Sequence, residues 1–483
     1  MKGKDFLMIH CIGDSHVCFF SGLNSMDGPD TTPYFKHYRL GPRTAFNIAK
    51  HWGSIEGIIA KVAQPGDHVM FCLGEIDCRA HLLKQSELQQ RPLDEIIDEC
   101  VRHYFKLFTL SQALGCKLIA WNVPPTNRKT TIGGEYSTYG TAQQRNDISR
   151  TFNRMLEQRC RESRVLFISI FDRIVESDGL ANPHYFMDDT HLAQRAMPFA
   201  LQELMRAGII PRPAERAAEA DKDLPFLHPR LANARTLFES GAYAPACREF
   251  LIGAALGFDQ VNILLHAAQS ARRAGDSLLA ERLLDEIIDR EPRLEAALGL
   301  LAECRGERAI RRPALSARDY ADVALQYALS GRLDDASRQV EHAINDGGNA
   351  AAIYLYLAGQ LMAFVKYDLA LEQLDKCLEH DSRNADAHTV MGILHHRRGN
   401  PGKAMDSYLA ALRIDELHYD ALRNFLALSV ELGMGKSAVP VIRGLLVKHP
   451  DNAVMLGIAQ SFVNTLGTAS KASVGTETQP HPA

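Results

Sequence analysis

The 483-residue chain contains no run of about 18 or more apolar residues, so no membrane-spanning helix is expected. It has no CxxC pair and no regular cysteine spacing. Its 10 cysteines are scattered, and Cys11, Cys72 and Cys116 sit inside apolar runs. They read as reduced core thiols, neither a disulfide framework nor the four converging ligands of a structural zinc site. There is no broad basic excess: the formal net charge is -4, and the electrostatic footprint of a nucleic-acid binder is missing. At the start, Lys2 and Lys4 precede an apolar stretch too short for a secretory h-region, and Gly13-Asp14-Ser15-His16 follows where a cleavage site would stand. These absences predict a cytoplasmic protein with no membrane span and no nucleic-acid partner.

What is present suffices for a folded chain of two or three domains, with 46% hydrophobic and 23% charged residues. Residues 1–212 alternate short apolar runs with longer amphipathic stretches. Asp5–Ile12, His68–Leu73, Lys117–Val123 and Val165–Ile170 read as strands buried on both faces, and a short strand at His37–Leu40 makes five. Thr44–His51, Leu93–Leu114, Thr141–Glu162 and Ala193–Arg206 read as helices. The alternation predicts an α/β domain of three layers, α/β/α, around a mostly parallel, flavodoxin-like sheet. Residues 213–226 read as a linker, and 466–483 as a disordered tail of small and polar residues.

Between them, residues 227–465 carry a 34-residue period. Units begin at Leu227, Val261, Ala317, Ala351, Ala385 and Tyr419. Glycine closes the first helix at Gly241, Gly275, Gly331, Gly399 and Gly433. Alanine opens the second at Ala246, Ala280, Ala336, Ala370, Ala404 and Ala438. Small residues let antiparallel helices approach, and glycine permits the turn between them. Residues 295–316 form a degenerate unit with Arg305, Arg308, Arg311 and Arg312, and a capping helix is expected from Ala453. This pattern resembles the tetratricopeptide (TPR) repeats, which implies an all-α superhelix whose concave face binds a protein or peptide partner.

The first strand runs into Gly13-Asp14-Ser15-His16, which places a serine at the carboxyl edge of the sheet. A serine hydroxyl needs a base to take its proton. Asp188-Asp189-Thr190-His191 supplies one: a D-x-x-H pair lets the carboxylate fix the imidazole while the other ring nitrogen faces a serine. With these motifs at opposite ends of the domain, residues 5 to about 208 resemble the SGNH/GDSL hydrolases. Carried over, the resemblance implies Ser15 as nucleophile, His191 as general base and Asp188 as its orienter. It also implies the backbone N–H groups of Ser15 and Gly41 as oxyanion-hole donors. The family block Gly-x-Asn-Asp reads Gly74-Glu75-Ile76-Asp77 here, so Ile76 stands where the donor asparagine belongs. Arg79 or His81 are the candidate replacements.

Other polar residues carry weaker expectations. Asp14, His16, His184 and Asp189 flank the motifs in no metal-binding spacing and are expected to hydrogen-bond within loops. Glu75 and Asp77 are expected to fix a loop by accepting backbone N–H bonds. Arg128 and Lys129 mark a polar loop, Pro124 to Gly140, as a candidate substrate loop. The function implied is a serine esterase acting on an acyl ester, of the O-acetyl kind on a carbohydrate or a small lipidic substrate, without cofactor or metal. An O-acyltransferase with the same triad, or an inactive domain in a TPR scaffold, are the alternatives.

Overall fold

The computed structural model describes residues 8–23, 30–64, 66–129, 131–132, 136–211, 221–258, 260–306 and 314–474. They fall into two compact units, Met1–Gln339 and Val340–Ala483. The boundary expected near residue 212 lies inside the first.

The first unit opens with β1 (Ile9–Gly13), β2 (Phe35–Arg39), helix α1 (Trp52–Val62), β3 (His68–Cys72), α2 (Leu82–Gln89), α3 (Leu93–Gln112) and β4 (Lys117–Trp121). A small antiparallel hairpin follows, β5 (Thr131–Ile132) with β6 (Tyr136–Ser137). Then come α4 (Ala142–Glu162), β7 (Leu166–Ile168) and α5 (Met197–Arg206). The five parallel strands run in the order β2-β1-β3-β4-β7, all in the same direction. The chain leaves β1 on one side to β2 and returns to β3 on the other, so the strand order switches at the end of β1, where such sheets bind ligands.

Period-two alternation sorts the strand side chains into two cores. Ile9, Cys11, Met70, Cys72, Ile119 and Trp121 face a layer containing Phe19, Phe20 and the α5 residues Leu201 and Leu204. Ile12, Val69, Phe71, Leu118 and Ala120 face α1, α3 and α4, through Ile55, Ile59, Tyr104, Phe108, Phe152 and Leu156. Burial on both faces explains the continuous apolar runs. The helix expected at Thr44–His51 differs: only a 3-10 turn forms at Ile48–His51, and the α-helix occupies Trp52–Val62. Gly53 and Gly57 concealed it, because each lowers local helix propensity. The hairpin in the Pro124 to Gly140 loop was also not expected.

Part of the expected linker is ordered. Asp221–Leu227 forms a 3-10 segment, and Leu227 is buried in the core that holds Leu204, Met205 and Ile210. Residues 212–220 lie outside the described residues.

Helical hairpins follow. They are α6 (Pro229–Glu239) with α7 (Tyr243–Ala255), α8 (Gln260–Arg273) with α9 (Ser277–Arg290), α10 (Glu295–Gly306), then α11 (Ala317–Leu329) with α12 (Leu333–Asn345), whose residues after Gln339 belong to the second unit. Of the degenerate unit expected at 295–316, the described residues are α10 and 314–316; Arg308, Arg311 and Arg312 lie outside the described residues. The second unit holds α13 (Ala350–Ala363) with α14 (Tyr367–His380), α15 (Ala385–Arg397) with α16 (Pro401–Ile414), and α17 (Tyr419–Glu431) with α18 (Gly435–Lys448). It closes on α19 (Ala453–Val474). This last helix continues beyond Leu466, where a disordered tail was expected to begin; residues 475–483 lie outside the described residues. No helix among the described residues is long and apolar enough to cross a membrane.

The repeat period has one exception with a measurable consequence. Glycine takes the left-handed turn in five units, with φ between +70° and +92° at Gly433 and Gly275 and the other three in between. In the unit beginning at Ala351 the same place is Val365, at φ +58°. A β-branched residue is strained there, and Val365 is 42% exposed, so its side chain contributes little packing. Val365→Gly should stabilise the protein by about 1 kcal/mol, after the extra unfolded-state entropy of glycine is counted. A urea midpoint that falls, at unchanged slope, would show that the turn is not strained.

Candidate active site

Gly13 ends β1 where only glycine fits. It pairs with Cys72 of β3, and a Cβ at Gly13 would lie 2.0 Å from the Cys72 carbonyl oxygen. The next residue, Asp14, caps a 3-10 helix, Ser15–Ser21, by accepting the His16 backbone N–H at 3.0 Å. Val17, Phe19 and Phe20 of that helix anchor it in the core. Ser15 is thereby its first residue, half-buried at the carboxyl edge of the sheet.

His191 arrives from the other end of the domain on a tight loop. Phe186 and Leu192 form an isolated antiparallel bridge, and the Met187 N–H donates to the His191 carbonyl at 2.9 Å. Inside the loop, Asp188 Oδ1 accepts the backbone N–H groups of Thr190 and His191, each at 2.8 Å. Its other oxygen, Oδ2, lies 2.7 Å from His191 Nδ1, and His191 Nε2 lies 2.7 Å from Ser15 Oγ. The structure thus brings Ser15, His191 and Asp188 into one hydrogen-bonded line. Burial works against the Asp188 carboxylate. The hydrogen bond and charge of His191, with the two loop N–H groups, outweigh it and hold the carboxyl well below its ordinary value. Asp188 therefore stays ionised and able to fix the imidazole with Nδ1 protonated and Nε2 turned to the serine.

The residues around the expected oxyanion hole divide. Gly41 lies just beyond β2, at φ +76° with open space around a would-be Cβ, so glycine is needed there for backbone conformation. Asp77 is buried and accepts the N–H groups of Ala45 at 2.6 Å and Phe46 at 3.3 Å, tying the segment after Gly41 to the turn after β3. Burial pushes its carboxyl up to about 6, against the pull of those two N–H groups. Glu75, expected to do the same, instead pairs with Arg79, Nε to Oε1 at 2.6 Å and Nη2 to Oε2 at 3.2 Å. Arg79 and Glu75 line a small cleft with Pro124, Ser149, Asp189 and Thr190, the last two adjoining the Asp188–His191 pair. His81 ends the π-turn Asp77–His81 and is exposed. No described contact links His81 to the triad. Ile76 is half-buried, at the start of that π-turn.

The Pro124 to Gly140 loop is held more tightly than its polar composition implied. Arg128 is engaged by Glu176 at 2.7 Å and Asp178 at 2.6 Å, and Lys129 Nζ lies 2.6 Å from Asp189 Oδ1. Both Arg128 ion pairs are solvent-exposed, and Lys129 reaches the residue next to Asp188. The organiser is Arg145, a residue the sequence reading passed over. Fully buried at the start of α4, it donates to the carbonyls of Gly140 at 2.6 Å, Asn127 at 3.1 Å and Lys129 at 2.7 Å. Burial, then the Arg79 charge, lower its pKa. The signal was available: Arg145 falls in register with Ile148, Phe152 and Leu156 on the buried face of α4, where an unexplained charge marks a function.

The remaining polar candidates are spoken for locally. His184 Nδ1 accepts from Arg195 at 2.9 Å, and burial and that cation lower its pKa. Asp14 Oδ1 binds both the His16 N–H and its Nδ1, the latter at 2.8 Å. Among the described residues no group of three or more His, Cys, Asp or Glu side chains could hold a metal ion.

No family model and no curated protein matches the chain. Solved structures do match. The crystal structure of MamA is 17% identical, over 38% of this chain and 96% of that one, at a TM-score of 0.23. A Bacteroides fragilis protein provisionally described as an acylhydrolase is 13% identical, over 43% of this chain and 90% of that one, at 0.30. The TPR2AB domain of yeast Sti1, in complex with an HSP90 peptide, is 11% identical, over 50% of this chain and 97% of that one, at 0.23. Scores of this size assign no activity, and the chemistry of the site rests on the chain's own Ser15, His191 and Asp188.

Proposed function

We propose that the N-terminal α/β domain is a serine esterase of the SGNH/GDSL type that cleaves an acyl ester. The observation that carries this reading is the line Ser15 Oγ–His191 Nε2–Asp188, at 2.7 Å and 2.7 Å, on the carboxyl edge of the sheet. In this mechanism Ser15 attacks the ester carbonyl while His191 accepts its proton. His191 returns that proton to the leaving alcohol, and the acyl group remains on Ser15. Water then repeats the cycle and frees the acid; a sugar hydroxyl in its place would give acyl transfer. The N–H groups of Ser15 and Gly41 are the proposed donors to the oxyanion. A fluorophosphonate should label Ser15 and no other serine, seen as a mass shift on the peptide containing it. An intact protein that takes no label would refute the esterase reading.

The helical repeats, on this reading, bind a protein or peptide. Support comes from an apolar groove of about 670 Å³ in the second unit, lined by Leu426, Val430, Val454, Ile458 and Phe462. A rival reading, a scaffold whose α/β domain no longer hydrolyses, is favoured by one feature. Ile76 offers no side-chain donor, and the neighbouring Arg79 is already committed to Glu75. The same labelling decides between them.

A further inference from the structure

Asp188 and His191 sit at the tip of a hairpin whose two sides are joined rung by rung. At the tip, the Met187 N–H donates to the His191 carbonyl at 2.9 Å, and Phe186 and Leu192 form the isolated bridge. Behind them the Ala193 N–H donates to the Tyr185 carbonyl at 2.8 Å. The last rung is made by side chains: Arg195 Nη1 donates to His184 Nδ1 at 2.9 Å. Between the last two rungs, the fully buried Gln194 donates to the carbonyls of Phe19 at 2.9 Å and Leu23 at 3.2 Å. Gln194 thereby ties the hairpin to the helix that begins at Ser15. A shift at the base of the hairpin is carried to the distance between His191 and Ser15.

The base does not rest on the α/β domain alone. Arg195 lies against Gly257, in the turn that follows α7 of the first repeat. A Cβ at Gly257 would come within 3.2 Å of Arg195 Nε, 3.4 Å of its Cζ and 3.5 Å of its Cδ. Arg195 Nε is shielded from solvent there. The carboxyl end of a helix favours a cation, which suits an arginine beside the end of α7.

We propose that Arg195 is a positioning residue: seated on the turn after α7, it closes the base of the hairpin and so lets the first repeat hold His191 against Ser15. The proposal rests on the esterase reading and adds a part of the repeats to what that site needs. Reacting groups misplaced by about 1 Å can lose about 100-fold in rate, so a brace that never touches the substrate still matters to turnover.

The full chain carries the test. Gly257→Ala places a methyl group against Arg195. Gly241→Ala is its control: Gly241 turns at φ +83° against +87° for Gly257, in the same repeat, and a Cβ there meets no atom within 4 Å. Both substitutions strain a turn, and one alone displaces Arg195. The rate constant for fluorophosphonate labelling of Ser15 should fall about 10-fold in Gly257→Ala and in Arg195→Ala, with every folded molecule labelled in the end. It should hold in Gly241→Ala. Arg195→Lys, which keeps a donor for His184, should recover most of it. A merely structural role would lower the labelled fraction and leave the rate constant alone. That outcome, or equal slowing in Gly257→Ala and Gly241→Ala, would overturn the proposal. Should the substituted chains fail to fold, hydrogen exchange in the unmodified protein decides. The Met187 and Ala193 amides should open together with the amides of α7; a hairpin that opens first, on its own, ends the idea. This readout needs no turnover. A chain that never takes the label refutes the esterase reading, and the exchange pattern still shows whether the repeat holds the hairpin.

Discussion

Ser15→Ala should reduce hydrolysis of a small aryl acetate by about 10³-fold or more, with a melting temperature within a few degrees of the parent. The large effect follows from losing the only atom of the triad that forms a bond to the acyl group; what remains is positioning and backbone donors, and these cannot form an acyl-enzyme. The small structural effect follows from the site's position. Ser15 is half-buried at the sheet edge, and the change forfeits one hydrogen bond, to His191 Nε2, at a cost of about 1 kcal/mol. The pairing of outcomes is the informative part. A folded Ser15→Ala protein that keeps its turnover would place the chemistry elsewhere. A variant that loses both fold and turnover would say nothing of catalysis, and His191→Gln, at the half-buried middle of the same line, would then carry the comparison.

A gain of function is expected at Ile76. The residues on either side already frame the site: Glu75 lines the cleft beside Asp189 and Thr190, and Asp77 fastens the segment after Gly41. An asparagine between them would add an amide donor close to where the oxyanion develops. Ile76→Asn should raise kcat on a small ester by up to about 100-fold, the converse of what deleting such a donor costs in other acyl-transfer sites. The penalty is modest, about 1–2 kcal/mol, because Ile76 is half-buried and its amide can reach solvent. Turnover and unfolding midpoint must be measured on the same preparation. A folded variant with no gain would mean that the oxyanion already has its donors, or that acyl transfer is not the reaction.

The inner strands β1, β3 and β4 were legible because they are buried on both faces, which writes them as near-continuous apolar runs; the edge strand β2, with Lys36 and Arg39 exposed, carries no such run. The helix at Trp52–Val62 was not, because Gly53 and Gly57 weaken its local signal and only packing of Ile55 and Ile59 under the sheet sustains it. The repeats were legible because one small residue and one turn recur every 34 positions. Val365 broke the rule visibly, and the backbone took the strained conformation regardless. At the site, Ser15, Asp188 and His191 could be named because their chemistry demands those residue types. The role of Arg145 could not be assigned, since it depends on the Asn127 and Lys129 carbonyls, which meet it only in the folded chain. Arg128 shows a further limit: its ion pairs with Glu176 and Asp178, some fifty residues away in sequence, form only in the folded chain.

Leu227 sets the order in which the nascent chain can be completed. It lies in the same core as Leu204, Met205 and Ile210, with Leu224 packed against that core. As the chain leaves the ribosome, the sheet and its last helix emerge first, with an apolar strip still uncovered. The strip is sealed only when the entry to the first repeat follows. A fragment stopped near residue 213 would be permanently held at that stage. Synthesis itself therefore makes the repeat entry the cover of the α/β core: until Leu224 and Leu227 have left the ribosome, the apolar side of Leu204, Met205 and Ile210 has nothing to pack against.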